Sequence, residues 1–134
     1  MNPKFYYCKH CGNVIFHAYA SGAPVSCCGD EMIELIPNTE DAAKEKHVPV
    51  IERNGCTVTV RVGETEHPMT EKHYISWIAL DTGKNLLIQQ LSPEDEPKAV
   101  FCVDPVDEVT AFAFLFLGDS LDHCLLYNVR NLHS

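Results

Sequence analysis

HVPVIERNGCTVTVRVG, from His47 to Gly63, is the stretch whose texture decides how the rest of the chain is read. From Cys56 onward the residues alternate. Cys56, Val58, Val60 and Val62 are expected on one face, and Thr57, Thr59 and Arg61 on the other. A period of two is that of a half-buried strand, and β-branched side chains suit a pleated surface. Asn54-Gly55, just before, is a two-residue hairpin signal, so HVPVIE (47–52) is expected as the partner strand.

The same texture continues downstream. Strands are expected over HYISWIAL (73–80), NLLIQQL (85–91), KAVFCV (98–103), EVTAFAFLFL (108–117) and LDHCLLYNV (121–129), with Gly and Pro clusters between them. No segment carries clear helical spacing. Short strands this closely spaced imply an antiparallel sandwich. The longest apolar run, AFAFLFL (111–117), is far short of the roughly 20 residues a membrane helix needs, so it reads as a buried strand.

Upstream of His47 the composition shifts. Residues 37–46, PNTEDAAKEK, are polar without an apolar face and read as a linker. Residues 1–36 hold a turn-rich cysteine module, which leaves 47–134 as the strand-rich unit. The net charge of -9 over 134 residues argues against nonspecific binding to nucleic acid or to an anionic membrane. Seven cysteines, an odd number, follow an N-terminus with no apolar leader. A cytoplasmic, reducing setting is therefore expected, with thiols as ligands rather than crosslinks.

Four of those thiols are gathered as Cys8-x2-Cys11 and Cys27-Cys28. A Cys-x-x-Cys turn points two thiolates at one ion while backbone amides hydrogen-bond to the sulfurs. Gly12 and Gly29 follow the two pairs, where tight knuckles need φ > 0. Four thiolates in a tetrahedral set take zinc or iron. Adjacent ligands such as Cys27 and Cys28 must splay around one peptide bond, which is unusual for a zinc ribbon. His10 and His17 lie in the same module, but the thiols already complete four-coordination, so both are expected as exposed loop residues. Cys56 and Cys102 fall within strand candidates and are expected in the core.

His47, His67 and His73 sit in the strand-rich part. Neutral imidazoles are good ligands for iron, zinc and copper. Spacing alone makes no chelating pair of His67-x5-His73, and each reads equally as an isolated surface histidine.

The surrounding words carry more. Tyr7-Cys8-Lys9-His10-Cys11-Gly12-Asn13 and Val25-Ser26-Cys27-Cys28-Gly29 resemble the desulforedoxin-type module. Glu45-Lys46-His47-Val48-Pro49-Val50-Ile51-Glu52, Glu66-His67-Pro68-Met69-Thr70-Glu71-Lys72-His73-Tyr74-Ile75, Trp77-Ile78 and Ser92-Pro93-Glu94-Asp95-Glu96-Pro97-Lys98-Ala99 resemble the desulfoferrodoxin, or superoxide reductase, family. The resemblance implies a rubredoxin-like iron knuckle held by Cys8, Cys11, Cys27 and Cys28, followed by an immunoglobulin-like β-sandwich. It implies a second iron held by four histidines and an axial cysteine, with superoxide reduced to hydrogen peroxide at the open position. His47, His67 and His73 match three of those histidines. Lys46 would steer the anion and help deliver a proton, and Glu45 would have a secondary role. A rubredoxin-like electron donor and a homodimer are implied as well.

The chain departs from the family pattern at its end. The family closes on Cys-Asn-Leu-His-Gly-Leu-Trp, which supplies the axial cysteine and the fourth histidine, and no such sequence occurs here. Aligned through Val109-Thr110-Ala111-Phe112-Ala113-Phe114, Leu115 replaces the cysteine and Gly118 the histidine. Aligned through Asn131-Leu132-His133, His133 becomes the fourth ligand and Arg130 takes the axial place. Cys124, beside His123, is expected as a small buried residue. The leading expectation is an iron-dependent superoxide reductase. Its rivals are an electron-transfer protein that keeps only the four-cysteine centre, and a zinc-stabilised interaction module.

Overall fold

The computed structural model describes residues 3–38, 49–62, 74–116 and 124–131. Every regular element among them is a strand: β1 (Phe5–Tyr7), β2 (Val14–Phe16), β3 (Ser26–Cys27), β4 (Asp30–Glu31), β5 (Ile33–Glu34), β6 (Pro49–Asn54), β7 (Thr57–Val62), β8 (Tyr74–Asp81), β9 (Leu86–Gln90), β10 (Lys98–Cys102), β11 (Val109–Phe116) and β12 (Cys124–Asn131). The larger part is a sandwich of two antiparallel sheets, ordered β10-β7-β6 and β12-β11-β8-β9. The all-β architecture expected from the sequence is the one observed. No helix of the described residues is long and apolar enough to cross a membrane.

The alternation in β7 sets the inner core. Val58, Val60 and Val62 are buried and face Ile75, Ile78, Leu80, Ala111, Ala113, Leu115 and Tyr127 of the other sheet. Burying each such aliphatic side chain contributes about 1.5–3 kcal/mol. A register shift between Phe114 and Leu115 skips Ser76, so that Ile75 and Ile78 both reach this core although their numbers differ in parity.

β8 and β11 lack clean alternation because both of their faces are covered. The outer face of the four-stranded sheet carries Trp77, Ala79, Phe112, Phe114 and Leu126, and the N-terminal module packs onto it through Phe5 and Leu35. Trp77 lies parallel to Phe114 at a centroid distance of 5.3 Å. Phe5 sits 4.8 Å from Trp77 and 5.4 Å from Phe112. The small sheet β2-β1-β5 stands above this aromatic layer. Asn38, in the stretch read as a linker, is tied to the sandwich: its backbone amide donates to Leu126 O at 2.8 Å, and its side chain to Asn128 Oδ1 at 2.6 Å.

The sandwich has two distinct ends. At one, the Arg53 guanidinium donates to the carbonyls of Asp104, Pro105 and Asp107, beside the starts of β7 and β11 and the ends of β10 and β12. At the other, Pro49 pairs with Val62, Val62 N–H donates to Pro97 O, Leu91 N–H donates to Ser76 O, and Phe116 stands between Tyr74 and Cys124.

Two sequence expectations are corrected here. Cys56 does not join Val58 and Val60 in the core but is exposed. Asn54 pairs with Thr57, so the two-residue loop is Gly55–Cys56 rather than Asn54–Gly55. Gly55 takes φ 63° at the first loop position, where glycine is favoured. Cys56 thus belongs to the turn and escapes the strand's parity. Cys102 is exposed too, on the outward side of β10 opposite Thr57.

Candidate metal centre

Two turns build the thiol cluster. In the first, Gly12 N–H donates to Cys8 O and Cys8 N–H to Asn13 O, both at 2.8 Å, with Gly12 at φ 84°. In the second, Cys27 pairs with Asp30 across a two-residue loop made of Cys28 and Gly29. Their φ values are 55° and 84°, the positive pair that a type I′ hairpin turn demands. This resolves the adjacency of Cys27 and Cys28. Cys27 ends a strand and Cys28 takes the first turn position, usually left to Asn or Asp. The left-handed backbone there costs roughly 1 kcal/mol and is what lets neighbouring residues aim at one point.

The four sulfurs all lie within 4.8 Å of one another. Cys11 Sγ is 3.5 Å from Cys27 Sγ, and Cys27 Sγ is 3.9 Å from Cys28 Sγ. A tetrahedral ion with bonds of about 2.3 Å needs sulfurs about 3.8 Å apart, so the donor set fits a single thiophilic metal. Asn13 Nδ2 donates to Cys27 Sγ at 3.6 Å. The Cys8 thiol is pulled from 9.0 down to about 6, first by the backbone amide of Cys11 and further by that of His10, against the opposing effect of burial. Hydrogen bonding to Cys11 and then Cys8 pushes Cys28 up to about 12 and raises Cys27 as well. Ionised sulfurs this close repel one another, so the full set of thiolates is stable only around a cation.

His10 and His17 stay outside the cluster, as expected. His10 Nε2 lies 2.5 Å from Asp30 Oδ2 and holds that carboxyl below its usual range. His17 meets Tyr6 edge-on. Cys11 is exposed beside a hollow of about 400 Å³ lined by Phe16, Trp77, Ile88 and Phe114.

Glu45, Lys46, His47, His67, His73 and His133 lie outside the described residues. Their described neighbours are informative in one respect. Pro49, Val62, Tyr74 and Phe116, which border the segments 39–48, 63–73 and 117–123, all stand at the same end of the sandwich. Cys124 begins β12 at this end, whereas Asn131 finishes it at the opposite one, beside Val109. Leu115 is fully buried in the inner core, and Arg130 pairs with Glu108 at 2.9 Å on the surface. The strand pairing of 124–131 is the part of the tail that local sequence patterning did reveal.

Fold and site together define an all-β protein with a four-cysteine knuckle docked on an antiparallel sandwich. Comparison with known proteins gives the class a family. The profile of the family described as desulfoferrodoxin matches residues 39–117. Desulfoferrodoxin from Syntrophotalea carbinolica is 47% identical over 98 residues, 73% of this chain and 78% of that protein. A desulfoferrodoxin homolog from Archaeoglobus fulgidus is 46% identical over 111 residues, 83% of this chain and 88% of the relative. The crystal structure of the superoxide reductase from Treponema pallidum superposes with a TM-score of 0.73 at 31% identity, covering 96% of this chain and 98% of that one. The chain belongs to the desulfoferrodoxin family.

Proposed function

We propose that this protein is a superoxide reductase, converting superoxide, one electron and two protons to hydrogen peroxide. What carries the reading is family membership over residues 39–117, the span that contains Lys46, His47, His67 and His73. It is supported by the common end of the sandwich at which the segments holding them begin and finish. Residues 1–36 would carry the first metal, 37–46 would join the two parts, and 47–134 would carry the second. His47, His67 and His73 would hold the second iron, which when bound in its ferrous state would supply the electron. His47, His67 and His73 as neutral imidazoles leave their ion cationic and so draw an anion. Lys46 adds positive charge where the overall charge of -9 would otherwise repel superoxide, and its ammonium is a proton source. Glu45 has the secondary role that the family likeness implies. Cys8, Cys11, Cys27 and Cys28 bind the other iron, and a rubredoxin-like donor reaches it through exposed Cys11.

For the fourth histidine, strand direction favours His123 over His133. In sequence, His123 precedes Cys124, which begins β12 at the end where Tyr74 begins β8, and His133 comes two residues after Asn131, which ends β12 beside Val109. A second reading, an electron-transfer protein with the knuckle metal alone, is favoured by buried Leu115 at the place one alignment gives to the axial cysteine. Pulse-generated superoxide decides between them. The reductase consumes it with one hydrogen peroxide formed per superoxide and no dioxygen released, and His67→Ala abolishes this. His123→Ala lowers iron content below the wild-type value while His133→Ala leaves it unchanged. Superoxide decay at the buffer rate would assign the protein to electron transfer.

A further inference from the structure

Two thiols outside the knuckle have no place in the reactions above. Cys56 occupies the second position of the β6–β7 turn and Cys102 the last position of β10, and both are exposed. β10 and β7 are hydrogen-bonded neighbours: Cys102 is opposite Thr57, and Val103 N–H donates to Cys56 O at 2.8 Å. Cys56 and Cys102 are therefore one register step apart on adjacent strands. With strands ~4.8 Å apart and ~3.3 Å rise per residue, that step places their Cα atoms about 6 Å apart, inside the range a disulfide spans. Because Cys56 sits in the turn, its side chain is released from the core face to which strand parity would assign it, and reaches the side Cys102 occupies.

We propose that Cys56 and Cys102 form a surface dithiol that closes reversibly to a disulfide on meeting a hydroperoxide. Hydrogen bonding to Cys56, and then that sulfur's charge, raise the Cys102 thiol above its usual pKa, in keeping with two sulfurs near enough to interact. The Cys56 sulfur attacks one peroxide oxygen, the O–O bond breaks, and the product is a sulfenic acid plus one water. The Cys102 sulfur then attacks the sulfenic sulfur, the S–O bond breaks, and a second water leaves as the S–S bond forms. Two thiols lose two electrons and one hydrogen peroxide becomes two waters. Hydrogen peroxide is also the product of the reductase reading, and only that source of oxidant rests on that reading. The pair lies at the Arg53 end of the sandwich, away from the end that Tyr74 and Phe116 share, so its closure leaves both proposed metal sites untouched.

The test adds hydrogen peroxide directly to the full-length protein, alkylates free thiols and maps tryptic peptides. Peptide 54–61 is expected linked to peptide 99–130, lighter than their sum by two hydrogens, and dithiothreitol separates them. Cys102→Ser is expected to lose the link and to leave Cys56 trapped by dimedone as the sulfenic acid. Peptides that remain separate and alkylated at both cysteines after peroxide would overturn the proposal, as would a link that survives in Cys102→Ser, which would point to Cys124 in the same peptide. Superoxide turnover is measured separately, so a failed reductase reading leaves this result intact.

Discussion

The knuckle and the sandwich are held together by different means. Strands β1 to β5 are two or three residues long, and most of their side chains are half-exposed or exposed. β8 and β11 are eight residues long and buried on both faces. The sandwich has a core of its own, whereas the knuckle borrows one, through Phe5 and Leu35 on the Trp77–Phe114 layer, and has four thiols that a cation must reconcile. A module this small needs such a staple. The contrast teaches where each part is vulnerable.

Denying the four-cysteine cluster a metal should break the comparison most sharply. Structural thiolate sites contribute on the order of 10 kcal/mol to the folding of small modules. Chelation, or Cys27→Ser, is expected to remove amide-exchange protection from residues 5–34 while that of 58–62 persists. Loss of protection in both would make the two parts one cooperative unit. Trp77→Ala comes next, at about 3–5 kcal/mol for an aromatic removed from a packed layer. It should loosen the knuckle at the joint with the inner valines still packed, seen as a lower unfolding midpoint with faster exchange at Phe5 than at Val60. Smallest is His10→Ala, which deletes an exposed pair with Asp30. The unfolding midpoint and metal content are expected to stay at wild-type values, and a loss of metal would make His10 part of the centre.

Much of the fold was readable because period-two patterning and turn residues report on local geometry. Val58, Val60 and Val62 fell on the buried face that their spacing implied. Ala111 to Phe116 read as a buried strand, but the cause of its double burial, a second module on the outer face, is not local and left no mark in the run itself. Gly12 and Gly29 took the positive φ expected of them. Cys28 did so as well, unforeseen, because turn position rather than residue type demanded it. The Asn54-Gly55 signal located the hairpin but was one residue out of phase with the loop, and that single step moved Cys56 from core to surface. The histidines were singled out only by family likeness, since residues spread over separate stretches of sequence have no periodicity to betray a shared role.

The Cys28–Gly29 turn has a consequence for how the chain finds its native pairing. A two-residue hairpin loop can slip by one position at little cost when its strands are as short as β3 and β4. Here a slip would rotate Cys27 or Cys28 out of reach of Cys8 and Cys11. An ion held by these four sulfurs would act as a proofreader of strand alignment, retaining only the chain whose hairpin has closed in the correct frame.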